Sequence, residues 1–470
     1  MSLTTPSSVR KLQRALYAKA KANPACRFYA LYDKIYRKDV LLWAWSCCRA
    51  NGGSCGVDGQ SFEGIEAKGV EAWLEELAKQ LKEKSYRAQA VRRVLIPKPD
   101  GKQRPLGIPT IKDRVAQMAA VIVLEPIFEA DLTEEQYAYR PQRSAHDAVR
   151  RVHELLNRGY TEVVDADLSS YFDTIPHHEL MKSIARRVSD GAMLALIKSW
   201  LEMAVEENDG KGNKRTTTAN KDSGKGTPQG APISPLLANL YMRRFLLGWK
   251  QAGWDRKLKA HIVNYADDFV ILCRATADKA RAAMEAMMGK LKLKVNQQKT
   301  RVCRVPAESF DFLGYTLGRC YRAQSGQVYI GTKPSTKRVR RICEKISQMT
   351  QRKWCWKEPE ELVGELNLVV KGWGNYFRLG SVSKAYRAVD GHARYRLRRW
   401  LCHKHKVKGH GRTRFKDEYL YQQLGLFRLE HASVRPCRGR KHNEPCPKAG
   451  CEMWSSHLCG VGFVNPVRSG

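Results

Sequence analysis

The stretch "HIVNYADDFVILC", residues 261–273, sets two adjacent acids, Asp267 and Asp268, between two apolar runs. Ile262 and Val263 precede the acids, and Phe269, Val270, Ile271 and Leu272 follow them. Runs of that composition read as short β-strands, which puts the acids at the tip of a hairpin. Two carboxylates so placed repel each other unless something neutralises them. A second acidic strand end, "VVDADLSSYFD", carries Asp165, Asp167 and Asp173 well upstream. Asp165 and Asp167 are two apart and share one face of an extended strand, whereas Asp173 lies beyond its end. Taken singly, such acids are strand caps or partners of surface lysines. Converging from two strands, they are strongly unfavourable without cations. With two Mg²⁺ ions about 3.5–4 Å apart the same cluster becomes a phosphoryl-transfer site. Mg²⁺ takes hard oxygen ligands, commonly one or two carboxylates plus substrate phosphates. The pattern therefore calls for metal ions and a triphosphate as the neutralising charge.

Composition agrees with a polyanionic partner. The 470 residues suffice for a substantial core, and 43% are hydrophobic, so the chain reads as folded. Lys and Arg total 83 against 47 acids, a net charge of +36, and a pI near 9.8 points to nucleic acid. Membrane is the rival partner. The longest weakly charged run, Val115–Phe128, includes Glu125 and Pro126 and falls short of the roughly 20 residues a span needs. The start, "MSLTTPSSVRKLQ", lacks the apolar core of a signal peptide. Fourteen cysteines without a secretion signal suit a reducing compartment. The expectation is a soluble, cytoplasmic, nucleic-acid-associated protein that uses no membrane.

Four regions differ in texture. Residues 1–60 mix basic and aromatic positions, read as basic helices, and end in the turn "NGGSCGVDG". Residues 61–330 alternate helical and strand-like patterns without regular βαβ spacing, an α+β texture. Examples are the helix "GVEAWLEELAKQLKEK", the strand "VRRVLIP" and the strand "TEVVDADL". The polar stretch "ENDGKGNKRTTTANKDSGKG" reads as an exposed hairpin or loop. Within it "SGKGT" invites a phosphate-loop reading. Ala219 stands where that motif needs its first glycine, and Gly226 replaces the required Ser or Thr. Residues 331–415 are helical and very basic. From Val382, the positions Tyr386, Val389, Ala393, Leu397 and Trp400 mark one apolar helix face. Lys384, Arg387, Arg394, Arg398 and Arg399 fall largely outside it, a cationic face suited to RNA or an RNA–DNA hybrid unless it is merely solvated. Residues 416–470 form a basic tail, an expected nucleic-acid-binding extension. Of its Cys437, Cys446, Cys451 and Cys459, with His442 and His457, only Cys446 and Cys451 approach the close pairing usual for structural zinc, which stays the lesser alternative.

In sequence order, "RPLGIPTIKDRVAQ", "DADLSSYFDTIPH", "TPQGAPISPLLANLYM" and "YADD" resemble the blocks of group II intron-encoded reverse transcriptases. "LKLKVNQQKTRV" resembles the block after the catalytic hairpin and "FDFLGYTLG" the primer grip. "GWGNYFRLGSVSKAYRAVDGHARYRLRRWL" resembles the thumb or maturase domain. The likeness runs in unbroken order from about Gly56 to about Lys406, where seven ordered blocks are specific as single ones are not. Ala138 in "YAYRPQRS" departs from the glycine common in relatives, and no HNH nuclease motif is seen at the end.

The resemblance implies an α+β right-hand polymerase with fingers, a palm of antiparallel sheet plus helices, and a helical thumb. Asp167, Asp267 and Asp268 would hold two Mg²⁺ ions, with Mn²⁺ as a substitute, and the carbonyl of Leu168 would complete the shell. Phe172, five residues after Asp167, would sit beneath the incoming sugar and exclude a 2′-OH; core packing is its alternative. Gln229 would line the nucleotide pocket, with Gly230 letting backbone approach the substrate. Arg92, Lys98 and Arg104 would bring charge to the triphosphate, unless they are a solvated hairpin. Lys299 would approach the leaving pyrophosphate or be a plain surface lysine. The expected activity is extension of a DNA primer on an RNA template with dNTPs. Binding of group II intron RNA, and of target DNA for mobility, would accompany it. A splicing-only RNA-binding protein and a free-standing reverse transcriptase in defence or repair are the alternatives.

Overall fold

The computed structural model describes residues 3–97, 103–208, 214–322 and 324–432. Helix α1 (Ser7–Ala22) buries Val9, Gln13, Leu16 and Ala20, and α2 (Lys38–Asn51) buries most of its apolar side chains. Helix α3 (Val70–Lys82) buries Leu74, Leu77 and Leu81 at three- and four-residue steps. Strands β1 (Val91–Pro97) and β2 (Gln103–Ile108) form an antiparallel hairpin. Helix α4 (Ile111–Glu129) follows, capped by the Thr110 hydroxyl, and is buried from Ile111 to Phe128. A helix apolar all round is a core centre, and α1 and α2 pack on it; Gln13 donates to the Ile122 carbonyl at 3.2 Å. The first sixty residues, read from texture as basic helices, thus share one core with α4 and the strands that follow.

Helix α5 (Ala145–Asn157) opens on a capping box between Ser144 and Asp147. Then come β3 (Glu162–Asp167) and α6 (His177–Ala185). Strands β4 (Val205–Asn208) and β5 (Lys214–Thr217) pair antiparallel, so a hairpin opens the polar stretch. Strand β4 also runs parallel to β1, giving a sheet of order β2-β1-β4-β5.

Helix α7 (Ser234–Gln251) leads to β6 (His261–Tyr265) and β7 (Asp268–Cys273), then α8 (Ala277–Lys290) and β8 (Arg301–Arg304). The central sheet has the order β6-β7-β3-β8, antiparallel throughout. Alternate residues enter two different cores. Val164, Ala166, Phe269 and Ile271 pack with α4, α7 and α8. Val163, Val263, Val270 and Leu272 pack with α5 and with Phe310, Phe312 and Tyr315. Burial on both faces is why these strands read as unbroken apolar runs.

Strands β9 (Phe310–Phe312), β10 (Tyr315–Tyr321) and β11 (Val328–Pro334) form a third sheet. Helices α9 (Thr336–Met349), α10 (Pro359–Tyr376) and α11 (Ser383–Lys404) enclose a separate apolar core. The stripe Tyr386, Val389, Ala393, Leu397 and Trp400 is buried in it. This helical unit is tied to the sheets: the Tyr376 hydroxyl donates to the Leu313 carbonyl at 2.9 Å and Ser381 N–H to the Thr332 carbonyl at 2.8 Å. Among the described residues no helix is long and apolar enough to cross a membrane.

One buried acid in α4 makes stability depend on pH. Burial, and secondarily the charge of Glu129, pushes the Glu125 carboxyl from 4.5 up to about 8. The native state therefore keeps a proton that the unfolded chain has lost, and stability falls as pH rises from about 4.5 to about 8. In urea titrations across that range, Glu125→Gln should match the parent at the acid end and exceed it above pH 8. A parallel pH profile in the variant would show that Glu125 is not the titrating group.

Candidate active site

Tyr265 and Asp268 close the β6–β7 pairing, so Ala266 and Asp267 form a two-residue loop. Ala266 has φ +57°, a position where such turns favour glycine. The strain is held from behind. The buried Asn264 side-chain amide donates to the Ala266 carbonyl at 2.8 Å. The Asn264 backbone bonds to Glu135 and Tyr137. That loop is in turn pinned by buried Arg140, which donates to the Glu129 carboxylate and to the carbonyls of Thr133 and Gln136.

Asp167 is the direct cross-strand neighbour of Asp268, and Asp267 stands beside them on the turn. Directly opposed side chains of that kind lie about 4.5–5.5 Å apart at Cβ. Asp268 is reached by solvent at its surface yet has protein packed closely around it. Its carboxyl is raised to about 7, by desolvation first and then by the charges of Asp267, Asp167 and Asp165, with Lys299 opposing. Asp165 is raised to about 6 by burial, against the pull of Arg301 at 3.5 Å. Among the described residues no three His, Cys, Asp or Glu side chains are set as a ready metal cage. The donor set nevertheless suits Mg²⁺. It offers hard carboxylate oxygens, crowded enough to repel, and the carbonyl of Leu168, whose bridge to Val295 leaves it without a backbone partner there.

The segment after α8 grips Asp167. Asn296 donates its side-chain amide to the Asp167 carboxylate at 3.1 Å and its N–H to the Asp167 carbonyl at 2.8 Å. Lys299 Nζ lies 3.2 Å from the same carboxylate, on a largely exposed side chain. Sequence reasoning singled out Lys299 but missed Asn296; the polar turn "NQQKT", a few residues past the end of α8, was the available signal.

A strap brings Phe172 and Gln229 together. Thr227 N–H donates to the Phe172 carbonyl at 2.7 Å, Gly226 N–H to Ile175 at 2.9 Å, and Gln229 Nε2 to Asp173 at 2.9 Å. Phe172 is half-buried, edge-to-face on Tyr171 at 5.7 Å, so one side packs and the other is open. Gly230, expected to admit substrate, instead admits β2. It has φ +108°, and a Cβ there would lie 2.7 Å from the Gly107 carbonyl, while Gly107 N–H donates to Gln229 at 2.7 Å.

Other expected contacts are differently placed. The Arg92 fork is committed to the Cys55 carbonyl at 3.0 and 2.6 Å. Lys98 and the side chain of Arg104 lie outside the described residues, as do Cys437, Cys446, Cys451, Cys459, His442 and His457. On α11, Lys384, Arg387 and Arg399 are exposed. Arg398 corrects the cationic-face reading. Only 11% of its side chain is exposed, and it donates to the Phe415 carbonyl at 2.9 Å and to Asp417. Arg394 shares that carboxylate at 2.7 Å. These two arginines fasten residues 415–417 to the helix.

Gly230→Ala should therefore part the strap from β2, through both the clash and the left-handed φ. The expected result is a folded protein with the loop 227–230 more open to limited proteolysis and activity reduced at least tenfold. Unchanged proteolysis would deny the coupling.

Comparison with known proteins accords with this geometry. A family model described as reverse transcriptase (RNA-dependent DNA polymerase) matches residues 96–317, and one described as group II intron, maturase-specific domain matches residues 339–420. Protein YkfC of Escherichia coli (strain K12) is 32% identical over 359 residues, covering 68% of this chain and 91% of that protein. Group II intron-encoded protein LtrA of Lactococcus lactis subsp. cremoris is 32% identical over 236 residues, 49% of this chain but 37% of its own length. A solved structure, the partial Cas6-RT-Cas1–Cas2 complex, aligns with 56% of this chain and 41% of that one at 25% identity; its TM-score of 0.33 carries no argument. With both domain models matched in order along one chain, the protein belongs to the group II intron-encoded reverse transcriptase/maturase family.

Proposed function

We propose that the chain extends a DNA primer on an RNA template with dNTPs, and that it binds group II intron RNA to assist splicing and mobility. The observation that carries the reading is Asp167 set directly against Asp268, with Asp267 on the adjoining turn. The β2-β1-β4-β5 sheet would serve as fingers, the β6-β7-β3-β8 sheet as palm, and α9–α11 as thumb. Asp167, Asp267, Asp268 and the Leu168 carbonyl would hold two Mg²⁺ ions, or Mn²⁺ in their place. When bound, those ions would neutralise the carboxylates and the charge developing on the transferred phosphoryl group.

The residues themselves supply orientation. Asn296, bonded to Asp167 through both its side-chain amide and its backbone N–H, orients the Asp167 carboxylate before substrate arrives. Lys299, exposed and on a long stem, can swing from Asp167 toward the departing pyrophosphate. Gln229, tethered through Asp173 to the turn that carries Phe172, keeps the nucleotide pocket and the sugar contact in register. Lys384 and Arg399 on α11 would meet RNA phosphates, while Arg387, though exposed, is ion-paired to Glu430 at 3.6 Å and would have to leave it to do so.

Removing one carboxylate undoes the charge balance of the whole cluster. Asp267→Asn should abolish extension of a primed RNA template while RNA binding stays near the parent value. An active variant would sink the assignment. Sugar choice tests the other end of the site. If the open side of Phe172 excludes the 2′-OH, Phe172→Ala should raise ribonucleotide use relative to deoxynucleotides by roughly 10- to 200-fold, the span of a single steric contact. Unchanged selectivity in a folded variant would return Phe172 to core packing.

A further inference from the structure

A cavity of about 490 Å³ opens between α6, α7, the end of α4 and the segment after α1, lined by Lys182, Arg186, Arg187, Arg243, Arg244 and a single acid, Asp131. We propose that it binds phosphate groups of a nucleic-acid backbone, separately from the polymerase cleft. The inference does not need the proposed polymerase function to be right.

The charges do not cancel within the fold. Arg187 is buried, ion-paired to Asp131 at 3.0 Å, and donates to the carbonyls of Ala20, Asn23, Pro24 and Cys26, so its role is structural. Arg244 is matched by Glu179 at 2.9 Å. Three cations remain. Arg243 uses its Nε on the Asp131 carbonyl, at 2.7 Å. Lys182, 62% exposed, reaches only the Glu179 carboxylate that Arg244 already uses, at 3.7 Å. Arg186 is exposed and has no hydrogen bond or ion pair among the described residues. Burial lowers the Arg243 guanidinium from its usual range; Asp131 opposes this, and Arg186 and Arg187 add to it. A concave site with such an excess of cations is complementary to a phosphate anion. Outside the lining, Arg27 is bonded to the Ala185 carbonyl at 3.1 Å, one residue before Arg186, and adds to the positive charge of this surface.

The pocket lies away from the catalytic acids. Helix α6 begins at His177, bonded to Gly226 in the strap at 2.7 Å, and Arg186 caps its far end. Helix α7 begins at Ser234, just beyond Gly230, and Arg243 lies nine residues on, about 13 Å along its axis. Both helices start at the active-site loop and lead to the pocket.

The test uses the full chain carrying Lys182→Ala with Arg186→Ala, exposed positions whose truncation leaves the core intact. The probe is a labelled blunt-ended RNA duplex, which has no template overhang to copy, bound across a salt series. A second pair, Lys68→Ala with Lys79→Ala, controls for charge loss alone. The pocket variant should lower the slope of log K on log salt by about 1–2, the control should not, and extension of a short primed template should be unchanged. An unchanged slope, or an equal fall in the control, overturns the proposal. Extension falling in step with binding overturns the separation from the cleft. Calorimetry with inorganic phosphate gives the last arm: loss of phosphate binding with an unchanged RNA slope would make this a free-phosphate site and overturn the backbone assignment.

Discussion

Asp167 faces Asp268 across one antiparallel pair, with Asp267 at the adjoining turn. Like charges directly opposed weaken a sheet, and the surrounding structure is arranged to withstand that repulsion. Strands β3 and β7 are buried on both faces by separate cores, so their apolar residues fix the register that brings the acids together. A slip by one residue would place Val164 and Ile271 among the wrong neighbours on every face. Lys299, Asn296 and Arg301 relieve only part of the crowding, as the raised carboxyl of Asp268 shows. The remaining negative charge stays crowded at the tip of the sheet.

Holding such a site demands that its loops be immobile, and buried arginines do much of that work. Arg114 donates to the carbonyls of Pro109 and Ser54, Arg140 ties the loop behind the β6–β7 turn, and Arg187 gathers the Ala20 carbonyl of α1 and three more just after it. A planar guanidinium with five donors can satisfy several loop carbonyls at once, as a lysine cannot. A net charge of +36 therefore overstates the charge available to nucleic acid. Part of it is internal scaffolding.

The same distinction separates what was legible in the sequence from what was not. Strands with period-two patterning or unbroken apolar runs, and the stripe from Tyr386 to Trp400, were legible because burial imposes their spacing directly. The paired acids were legible because two acidic strand ends, each beside an apolar run, stand out in a strongly basic chain. Asn296 was not, since its role depends on which strand the turn after α8 lies beside. The contact at Gly230 was hidden for a similar reason. A positive φ can be suspected from a glycine, but the neighbour it admits, here Gly107, is set by a sheet far away in sequence. The N-terminal helices looked like an appendage because their basic residues dominate the texture, while Val9, Leu16 and Ala20 are sparse yet fully committed to α4.

Arg398 and Arg399 show how to sort the rest of the charge. They are adjacent on α11, and helical periodicity turns them about 100° apart, so one meets Asp417 and the Phe415 carbonyl while the other is exposed beside Tyr395. Sequence spacing could mark both as lying off the apolar stripe, but not which would find a carboxylate from residues 415–417. The useful criterion is pairing, not position. A cation matched by an acid within the fold has little field left for a polyanion, whereas one without an acid partner keeps its counterions until a phosphate displaces them. By that measure Arg394 and Arg398 belong to the architecture of the helical unit, and Lys384 and Arg399 keep their charge for solvent or a ligand. Arg186 meets the same criterion at a second surface, where its neighbours Arg187 and Arg244 already have their acids. Basic surface on this protein is thus concentrated where carboxylates are missing, and a map of arginine and lysine alone does not show it.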